Sequence, residues 1–234
     1  MAGGLGATVG GGVRINDALV HQGPGCAKAA NAYQALPLTF EENEGQTDDS
    51  VDFLARFPGY TLFVSSSEAV VWLRSRTGAG IGSVLRMHLE NASPSATASG
   101  IDLAPGVTNY FLSSDPKQWH SGIPNYSRVK VAGVYPGIDL IYYANRRQLE
   151  YDFVVAPGAN ARAIRLGFSS GAHPRLDGHG NLRLETEAGE LRLRRPVIYQ
   201  LDGSGTRKES PGAMRCCAET WWPFGWPRMI APSC

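Results

Sequence analysis

The chain contains no long apolar segment, no excess of either charge and no extended helical periodicity. No apolar run approaches the roughly 20 residues that a membrane helix needs, so we expect no membrane span. The 22 basic and 21 acidic residues leave a formal charge of +1, which provides no field to attract nucleic acid, and we expect no nucleic-acid partner. No strand pattern is followed by the helical period of a βαβ unit, which argues against a doubly wound nucleotide-binding fold.

Cysteine is also scarce, and its positions do not form a recognisable pattern. The chain has four cysteines, with no CxxC pair and no metal-like spacing to histidine. All of them lie outside the stretch that is predicted below to be folded: Cys26, Cys216, Cys217 and Cys234. We therefore expect no metal site and no cofactor, and the cysteines do not indicate a redox compartment.

Turn-forming residues are abundant, since the chain has 28 glycines and 15 prolines, a composition typical of many short elements. Between Tyr60 and Gln200 the dominant signal is alternation with period two, the pattern of strands with one buried face. The clearest example is a hairpin in which residues 138–143 and 149–155 are strands and residues 144–147 form the turn. We predict an all-β, antiparallel, sandwich-like domain with at most short helical turns.

Further strands are predicted wherever apolar residues alternate: Leu85/Met87/Leu89, Val129/Val131, Ile164/Leu166/Phe168, Leu182/Leu184 and Leu191/Leu193. Two continuous apolar runs, residues 70–73 and 196–199, are predicted to be more fully buried. Chain reversals are expected at Pro-Gly pairs and at the glycine-rich segment 177–180. One helical turn is predicted after Asp115, which can cap it, with Pro116 in the first helical position.

Composition divides the chain into three regions. Residues 1–36 are glycine-rich and are predicted to be disordered or poorly ordered; they lack the basic start and the roughly 7–15-residue apolar segment of an export signal. Residues 37–205 are the predicted β-rich domain. Residues 206–234 contain three of the five tryptophans and three of the four cysteines without alternation. We interpret this tail as an out-of-frame or truncated coding end, with a disordered tail as the alternative.

The predicted domain carries an ordered set of sequence blocks: residues 37–47 (PLTFEENEGQT), 53–63 (FLARFPGYTLF), 107–111 (VTNYF), 115–119 (DPKQW), 133–143 (GVYPGIDLIYY), 148–159 (QLEYDFVVAPGA) and 195–200 (RPVIYQ). They resemble a bacterial domain of unknown function that precedes β-propeller (SBBP) repeats in large secreted or surface proteins. The resemblance implies an extracellular or cell-surface module followed by propeller or immunoglobulin-like repeats, and it implies no known chemistry.

The strongest carboxylate cluster is predicted on the outer face of the hairpin. Glu150 and Asp152 lie two residues apart on one strand, and Asp139 lies on the partner strand. Paired carboxylates can hydrolyse glycosides or bind calcium. The alternative is an ordinary polar outer face whose charges pair with Arg146, Arg147 or water, and we favour it because the outer faces of antiparallel sheets are normally polar.

Aromatic residues offer a second candidate surface, a platform for sugar rings, although aromatic side chains also build sheet cores. Trp119 is the first of them to test, because it lies beside the predicted helical turn. The five histidines show no metal-like spacing, and no GxSxG motif nominates a nucleophilic serine. We therefore assign no catalytic residue.

Three functional hypotheses follow. The first is a non-catalytic surface module for adhesion, assembly or presentation of repeats, with downstream β-propeller repeats, surface polysaccharide or protein as partners. The second is a carbohydrate-active hydrolase that uses Asp139 and Asp152. The third is a gene fragment with no function of its own.

Overall fold

The structure, a computed structural model, describes residues 7–15, 38–74, 82–111, 113–145, 148–169, 173–186, 189–201, 207–211, 213–214 and 221–225. These residues form mostly antiparallel β-structure, with two single turns of 3₁₀ helix and no longer helix among them. The predicted all-β class is therefore confirmed. The strands form a curled sheet of hydrogen-bonded neighbours, and the sandwich arrangement that we expected is not confirmed.

The eighteen strands follow in chain order: β1 (Ala7–Ile15), β2 (Phe40–Glu42), β3 (Phe53–Phe57), β4 (Tyr60–Val64), β5 (Glu68–Leu73), β6 (Ser83–Leu89), β7 (Thr97–Tyr110), β8 (His120–Tyr135), β9 (Ile138–Asn145), β10 (Gln148–Val155), β11 (Arg165–Ser169), β12 (His173–Leu176), β13 (Leu182–Thr186), β14 (Gly189–Leu193), β15 (Val197–Leu201), β16 (Arg207–Pro211), β17 (Ala213–Met214) and β18 (Trp221–Gly225). The 3₁₀ turns are η1 (Pro116–Gln118) and η2 (Ala161–Ala163).

Strand β8 joins two wings of the sheet. On one of its edges it pairs with β2 and, further along, with β9. The first wing continues from β2 through β3, β4, β5 and β6 to β11. The second wing runs from β9 through β10, β1 and β15 to β16, and β1 also pairs with β14, which continues to β13 and β12. Strand β7 pairs with the other edge of β8.

One hydrophobic core lies between the two wings, with buried residues from both, including Phe40 and Leu62 from the first and Phe153 from the second. A hydrogen bond links the wings directly, because the Leu149 amide donates to the Tyr60 hydroxyl at 3.3 Å. Each fully buried large apolar side chain contributes roughly 1.5–3 kcal/mol relative to exposure. The curl of the sheet is therefore stabilised mainly by the apolar faces that it encloses.

The predicted hairpin is confirmed as β9–β10. Leu149, Tyr151, Phe153 and Val155 are all buried, and the residues between them are only partly buried. The predicted reversals at Gly59, between β3 and β4, and at Gly137, between β8 and β9, are also confirmed. Both glycines have positive φ, +83° and +72°, a conformation that other residues adopt at a steric cost.

The two apolar runs that we predicted to be more fully buried alternate instead, so this prediction was wrong. In β5, Val71 and Leu73 are buried but Trp72 is 38% exposed. In the second run, Ile198 is buried while Val197 is 37% exposed. The physical reason is that both runs belong to strands with only one face toward the core, so every second side chain faces away from it.

Strands also occur within the regions assigned above to the two ends. Backbone hydrogen bonds place β1, from the glycine-rich segment, between β10 and β15. From the tail, β16 pairs with β15 and β18 pairs with β11. Sequence reasoning did not identify these strands, and the boundaries 1–36, 37–205 and 206–234 stay a prediction.

Strands β7 and β8 form a long hairpin whose far part we call the arm, residues 103–124. The pairing register shifts between Leu103 and Val107, where Gly106 has a φ of +89°. Just before this shift, Asp102 adopts a φ of +58°, and its carboxylate accepts a hydrogen bond from Arg128 Nε at 2.6 Å. The register shift and this ion pair mark the point where the arm begins.

Candidate functional site

Asp139, the first of the three candidate carboxylates, binds two groups in an irregular part of β8. Its Oδ1 accepts the Gly133 amide at 2.8 Å, and its Oδ2 lies 2.8 Å from Lys130 Nζ. Gly133 falls where the β8–β9 register shifts between Val131 and Tyr135. Burial alone would raise the pKa of Asp139, but the bonds to Lys130 and Gly133 outweigh it, so the pKa lies below its usual value. These contacts give Asp139 a structural role in the bulge.

Asp152 is bound by two tyrosine hydroxyl groups. Tyr143 donates to Oδ1 at 3.1 Å, and Tyr199 donates to Oδ2 at 2.9 Å. Tyr199 lies on β15, beyond β1, where Gly10 is the residue directly opposite Asp152. Because glycine has no side chain, the Tyr199 hydroxyl can reach across β1 to the carboxylate. Burial, followed by the negative charges of Asp152 and Glu150, raises the pKa of Tyr143.

Glu150 is paired across the turn of the hairpin. Its two carboxylate oxygens lie 3.2 and 3.3 Å from Asn145 Nδ2. The structure therefore places Asp139, Glu150 and Asp152 on one outer face, as predicted, and gives each a partner within the protein. The partners include Lys130, Asn145 and two tyrosines, whereas Arg146 and Arg147, which we expected to pair with these charges, lie outside the described residues.

Trp119 lies at the end of the arm, immediately after η1. As predicted, Asp115 caps this turn: its Oδ1 accepts the Lys117 amide at 3.0 Å, with Pro116 in the first position. The Trp119 indole donates to the Ser113 carbonyl at 2.7 Å and meets the Phe111 ring edge-to-face, with centroids 5.1 Å apart. Trp119 is 43% exposed and Phe111 is 60% exposed. The helical turn thus presents a fixed aromatic pair to the exterior.

The arm exposes further apolar surface along β7. Leu103 is 70% exposed and Val107 is 56% exposed. Within the described residues β7 pairs only with β8, so β7 is an edge strand there. Large apolar side chains on an unpaired sheet edge are typical of surfaces that contact another polypeptide.

The arm is attached to the body by a charged cluster that sequence reasoning missed. The Glu41 carboxylate is almost buried and accepts hydrogen bonds from Arg56 Nη1, at 2.6 Å, and from the Tyr110 hydroxyl. The Arg56 guanidinium also lies over the Tyr110 ring, 5.1 Å from its centroid. Burial, followed by the bond to Glu41, raises the pKa of Tyr110 to about 12. No short-range pattern could indicate this cluster, because Glu41 and Tyr110 are 69 positions apart.

The block EENEGQ, which carried part of the resemblance, builds the loop between β2 and β3. Asn43 Nδ2 donates to the carbonyls of Asp48 and Val51 at 2.9 and 2.8 Å, and its Oδ1 accepts the Gly45 amide at 3.1 Å. The Glu44 carbonyl lies 3.1 Å from His120 Nδ1, at the start of β8. The block therefore has a structural role, because it fixes the loop and contacts the arm.

A polar cleft of about 460 Å³ lies beside this loop and includes Glu42, Asp49 and Asp52. Tyr126 donates to Glu42 Oε2 at 3.0 Å, and burial raises the pKa of Asp52. Across the described stretches, no group of three or more His, Cys, Asp or Glu residues is placed to hold a metal ion. The same stretches contain no helix with the length and apolarity that a bilayer crossing requires.

Comparison with protein families gives one match. The model of a domain of unknown function, DUF7948, covers residues 40–216, more than half of the chain. The chain belongs to the DUF7948 family. Searches among curated proteins and among solved structures found no significant match. The DUF7948 match includes the loop block, the arm, the β9–β10 hairpin and strands up to β17. It confirms the resemblance to a domain of unknown function and extends beyond residue 205, the predicted end of the domain.

Proposed function

We propose that this DUF7948 chain is a non-catalytic, extracellular or cell-surface β module of a bacterial β-propeller-repeat protein, and that it serves adhesion, assembly or presentation of the repeats. The observation that carries the proposal is the exposed Phe111–Trp119 pair at the end of an arm that is otherwise firmly attached to the body. Exposed aromatic residues in a fixed geometry are typical anchors of protein interfaces. The arm is accordingly the contact surface for neighbouring repeats.

The attachment of the arm supports this role. Glu41, Arg56 and Tyr110 hold the arm near its far end, and the carbonyl of Glu44 contacts His120 on β8. A contact surface that is already ordered loses less conformational entropy when a partner binds. The exposed Leu103 and Val107 extend the apolar surface from the base of the arm toward its end.

The arrangement of the carboxylates also favours a non-catalytic module over a hydrolase. A glycosidase needs one carboxyl group that is free to donate a proton and a second that faces the sugar. Asp139 is bound by Lys130 and the Gly133 amide, and Asp152 accepts hydrogen bonds from two tyrosines. Both carboxylates are therefore already committed to protein donors.

The contact role is tested by measuring the affinity of the chain for separately expressed β-propeller repeats by biolayer interferometry. We expect the double variant Phe111→Ala/Trp119→Ala to bind at least about tenfold more weakly, because aromatic anchors dominate interface energetics. Trp72→Ala is the matched control, since Trp72 is a partly exposed tryptophan on β5, away from the arm. Equal affinities for the double variant and the wild type, or no binding by the wild type, would contradict the contact role.

Catalysis is tested separately by incubating the wild type, Asp139→Asn and Asp152→Asn with a panel of polysaccharides and measuring released reducing ends. We expect no turnover that depends on either carboxylate. Turnover by the wild type that is lost in either variant would overturn the non-catalytic assignment and establish the hydrolase instead.

A further inference from the structure

A row of arginines crosses the outer face of three neighbouring strands. Arg175 on β12 is paired in register with Arg183 on β13, and Arg183 with Arg192 on β14. Since neighbouring strands lie about 4.8 Å apart, the three positions span roughly 10 Å. On β13 and β14 the leucines that alternate with the arginines, including Leu184 and Leu191, are buried in the core. The arginines therefore lie on the opposite face of these two strands, and Arg175 lies on the same face because it is directly opposite Arg183.

Like charges directly opposite one another destabilise a sheet. The acidic groups near the row therefore decide how much of this repulsion is compensated. Glu190 contacts both Arg183 and Arg192, and these arginines, Arg183 first, lower its pKa. Glu185 is directly opposite Glu190 and interacts electrostatically with Arg183. Asp177 accepts hydrogen bonds from the amides of His179 and Asn181. These three carboxylates stand against five arginines, the three of the row together with the exposed Arg194 and Arg195 just after β14, and so neutralise only part of the positive charge.

The row continues into a cleft of about 550 Å³ next to the β12–β13 turn, which Arg192, Arg194, Arg195 and His179 line. Arg194 and Arg195 make no ion pair within the described stretches. Arg192 Nε is buried and has no hydrogen-bond partner there. A buried donor without an acceptor costs free energy, so the contact with Glu190 leaves the Arg192 guanidinium incompletely satisfied.

We propose that this arginine cleft, together with the arginine row, binds an acidic polysaccharide through its carboxylate or sulfate groups. Guanidinium groups bind such oxyanions in a bidentate manner, and a row of positive charge matches a polymer with repeated negative charge. No Phe, Tyr or Trp lines the cleft, whereas single-stranded nucleic acids bind largely by stacking on such rings. This site lies apart from the arm and does not depend on the function proposed for it.

The test measures binding of fluorescently labelled polygalacturonate and heparin to the whole chain by anisotropy at low and at physiological salt. We expect both polymers to bind, neutral dextran not to bind, and affinity to fall as salt rises. In Arg194→Gln/Arg195→Gln we expect binding to weaken at least about tenfold, because charge-assisted hydrogen bonds are lost. The Arg195 amide, which donates to Asn181 Oδ1, is unchanged in this variant.

The matched control is Arg74→Gln/Arg162→Gln, which also removes two positive charges but takes them from exposed positions outside the cleft. We expect its affinity to stay within about twofold of the wild type, since only the diffuse field changes. An equal loss in both double variants, or no binding to either acidic polymer, would overturn the proposal. Tighter binding to a thymidine oligonucleotide than to the polysaccharides would overturn it in favour of a nucleic-acid ligand. The variant Phe111→Ala/Trp119→Ala should bind the polymers as the wild type does, which separates this site from the arm.

Discussion

The hairpins β9–β10 and β13–β14 have the same alternation but different charges on their outer faces, because β9–β10 carries carboxylates there and β13–β14 carries arginines beside carboxylates. On β9–β10 the three carboxylates of Asp139, Glu150 and Asp152 are each bound by protein donors. On β13–β14, Arg183 and Arg192 share one carboxylate, that of Glu190. Both hairpins bury their inner faces in one core. The buried faces are thus packed in the same way in both hairpins. On the outer faces, the carboxylates of β9–β10 each have a donor, whereas the two arginines of β13–β14 share one acceptor.

This difference distinguishes charges that support the fold from charges that are available to a ligand. A charged group that is bound by its own strand neighbours contributes to register and stability, whereas a row of like charges with few acidic partners is costly in the absence of a ligand. The carboxylates attracted attention in the sequence because Glu150 and Asp152 lie two residues apart on one strand and Asp139 lies on the partner strand. The arginines are the better candidates, since the protein itself leaves them less neutralised.

The largest loss of stability is expected from substitutions in the core, to which both hairpins contribute their inner faces. Phe153 and Leu184 are both completely buried, so Phe153→Ala should lower the free energy of unfolding by about 3–5 kcal/mol and Leu184→Ala by about 2–5 kcal/mol. Urea unfolding followed by circular dichroism measures both. The control Val154→Ala, on the outer face of β10, should have a much smaller effect. A negligible loss in Leu184→Ala would show that β13–β14 is not part of the same cooperative core.

A smaller effect is expected from the internally satisfied charges of β9–β10. Asp152→Ala leaves the hydroxyls of Tyr143 and Tyr199 without the carboxylate that accepts from them, at a cost of about 1–3 kcal/mol. Asp152→Asn retains an acceptor oxygen and should lose less. The same unfolding experiment ranks the two variants, and equal losses would contradict an essential role for the carboxylate in this contact.

For the arginine-rich hairpin we expect only a slight change in stability. Glu190→Gln removes the carboxylate that Arg183 and Arg192 share, and ion pairs near the surface contribute little, so the melting temperature should stay within about 3 °C. The same substitution should strengthen binding to heparin, because it removes a negative charge from the row. Weaker heparin binding in Glu190→Gln would show that the arginines of this hairpin do not form the binding surface.

The smallest effect concerns Asp177, in the turn beside the arginine cleft. Hydrogen bonds from the Asn181 side chain and amide, and from the His179 amide, lower the pKa of Asp177 from 3.8 to about 2. Because the folded-state pKa is lowered, the contribution to stability is complete above about pH 3.8 and is lost as the pH falls through about 2. Titration of the carboxyl carbon by NMR measures this pKa. An ordinary value in the wild type would show that the turn does not hold the carboxylate.

Local patterns were sufficient for features that depend on near neighbours. The alternation of Leu149, Tyr151 and Phe153 predicted the β9–β10 hairpin, and Asp115 with Pro116 predicted η1. Period two describes one strand at a time, so it could not show that Arg175, Arg183 and Arg192 align across three strands. It also could not show that Trp72, in a continuous apolar run, faces away from the core.

The candidate sites divide in the same way. Trp119 could be chosen because the turn chemistry beside it is local, and the structure places it beside Phe111. The Glu41 cluster could not be chosen in this way. Glu41 lies on β2, its partner Arg56 on β3 and its partner Tyr110 on β7, so the cluster depends on contacts between three strands. Such contacts arise only after the sheet has closed, so no single segment of sequence contains them.

The position of β8 between the two wings has a consequence for folding order. During synthesis, β2 to β6 emerge before β8, and the apolar face that includes Phe40 and Leu62 has no second wing to cover it until β8, β9 and β10 follow. Pairings between distant segments form slowly and leave apolar surface exposed meanwhile. We therefore expect the nascent first wing to expose its apolar face to solvent until the second wing has been synthesised.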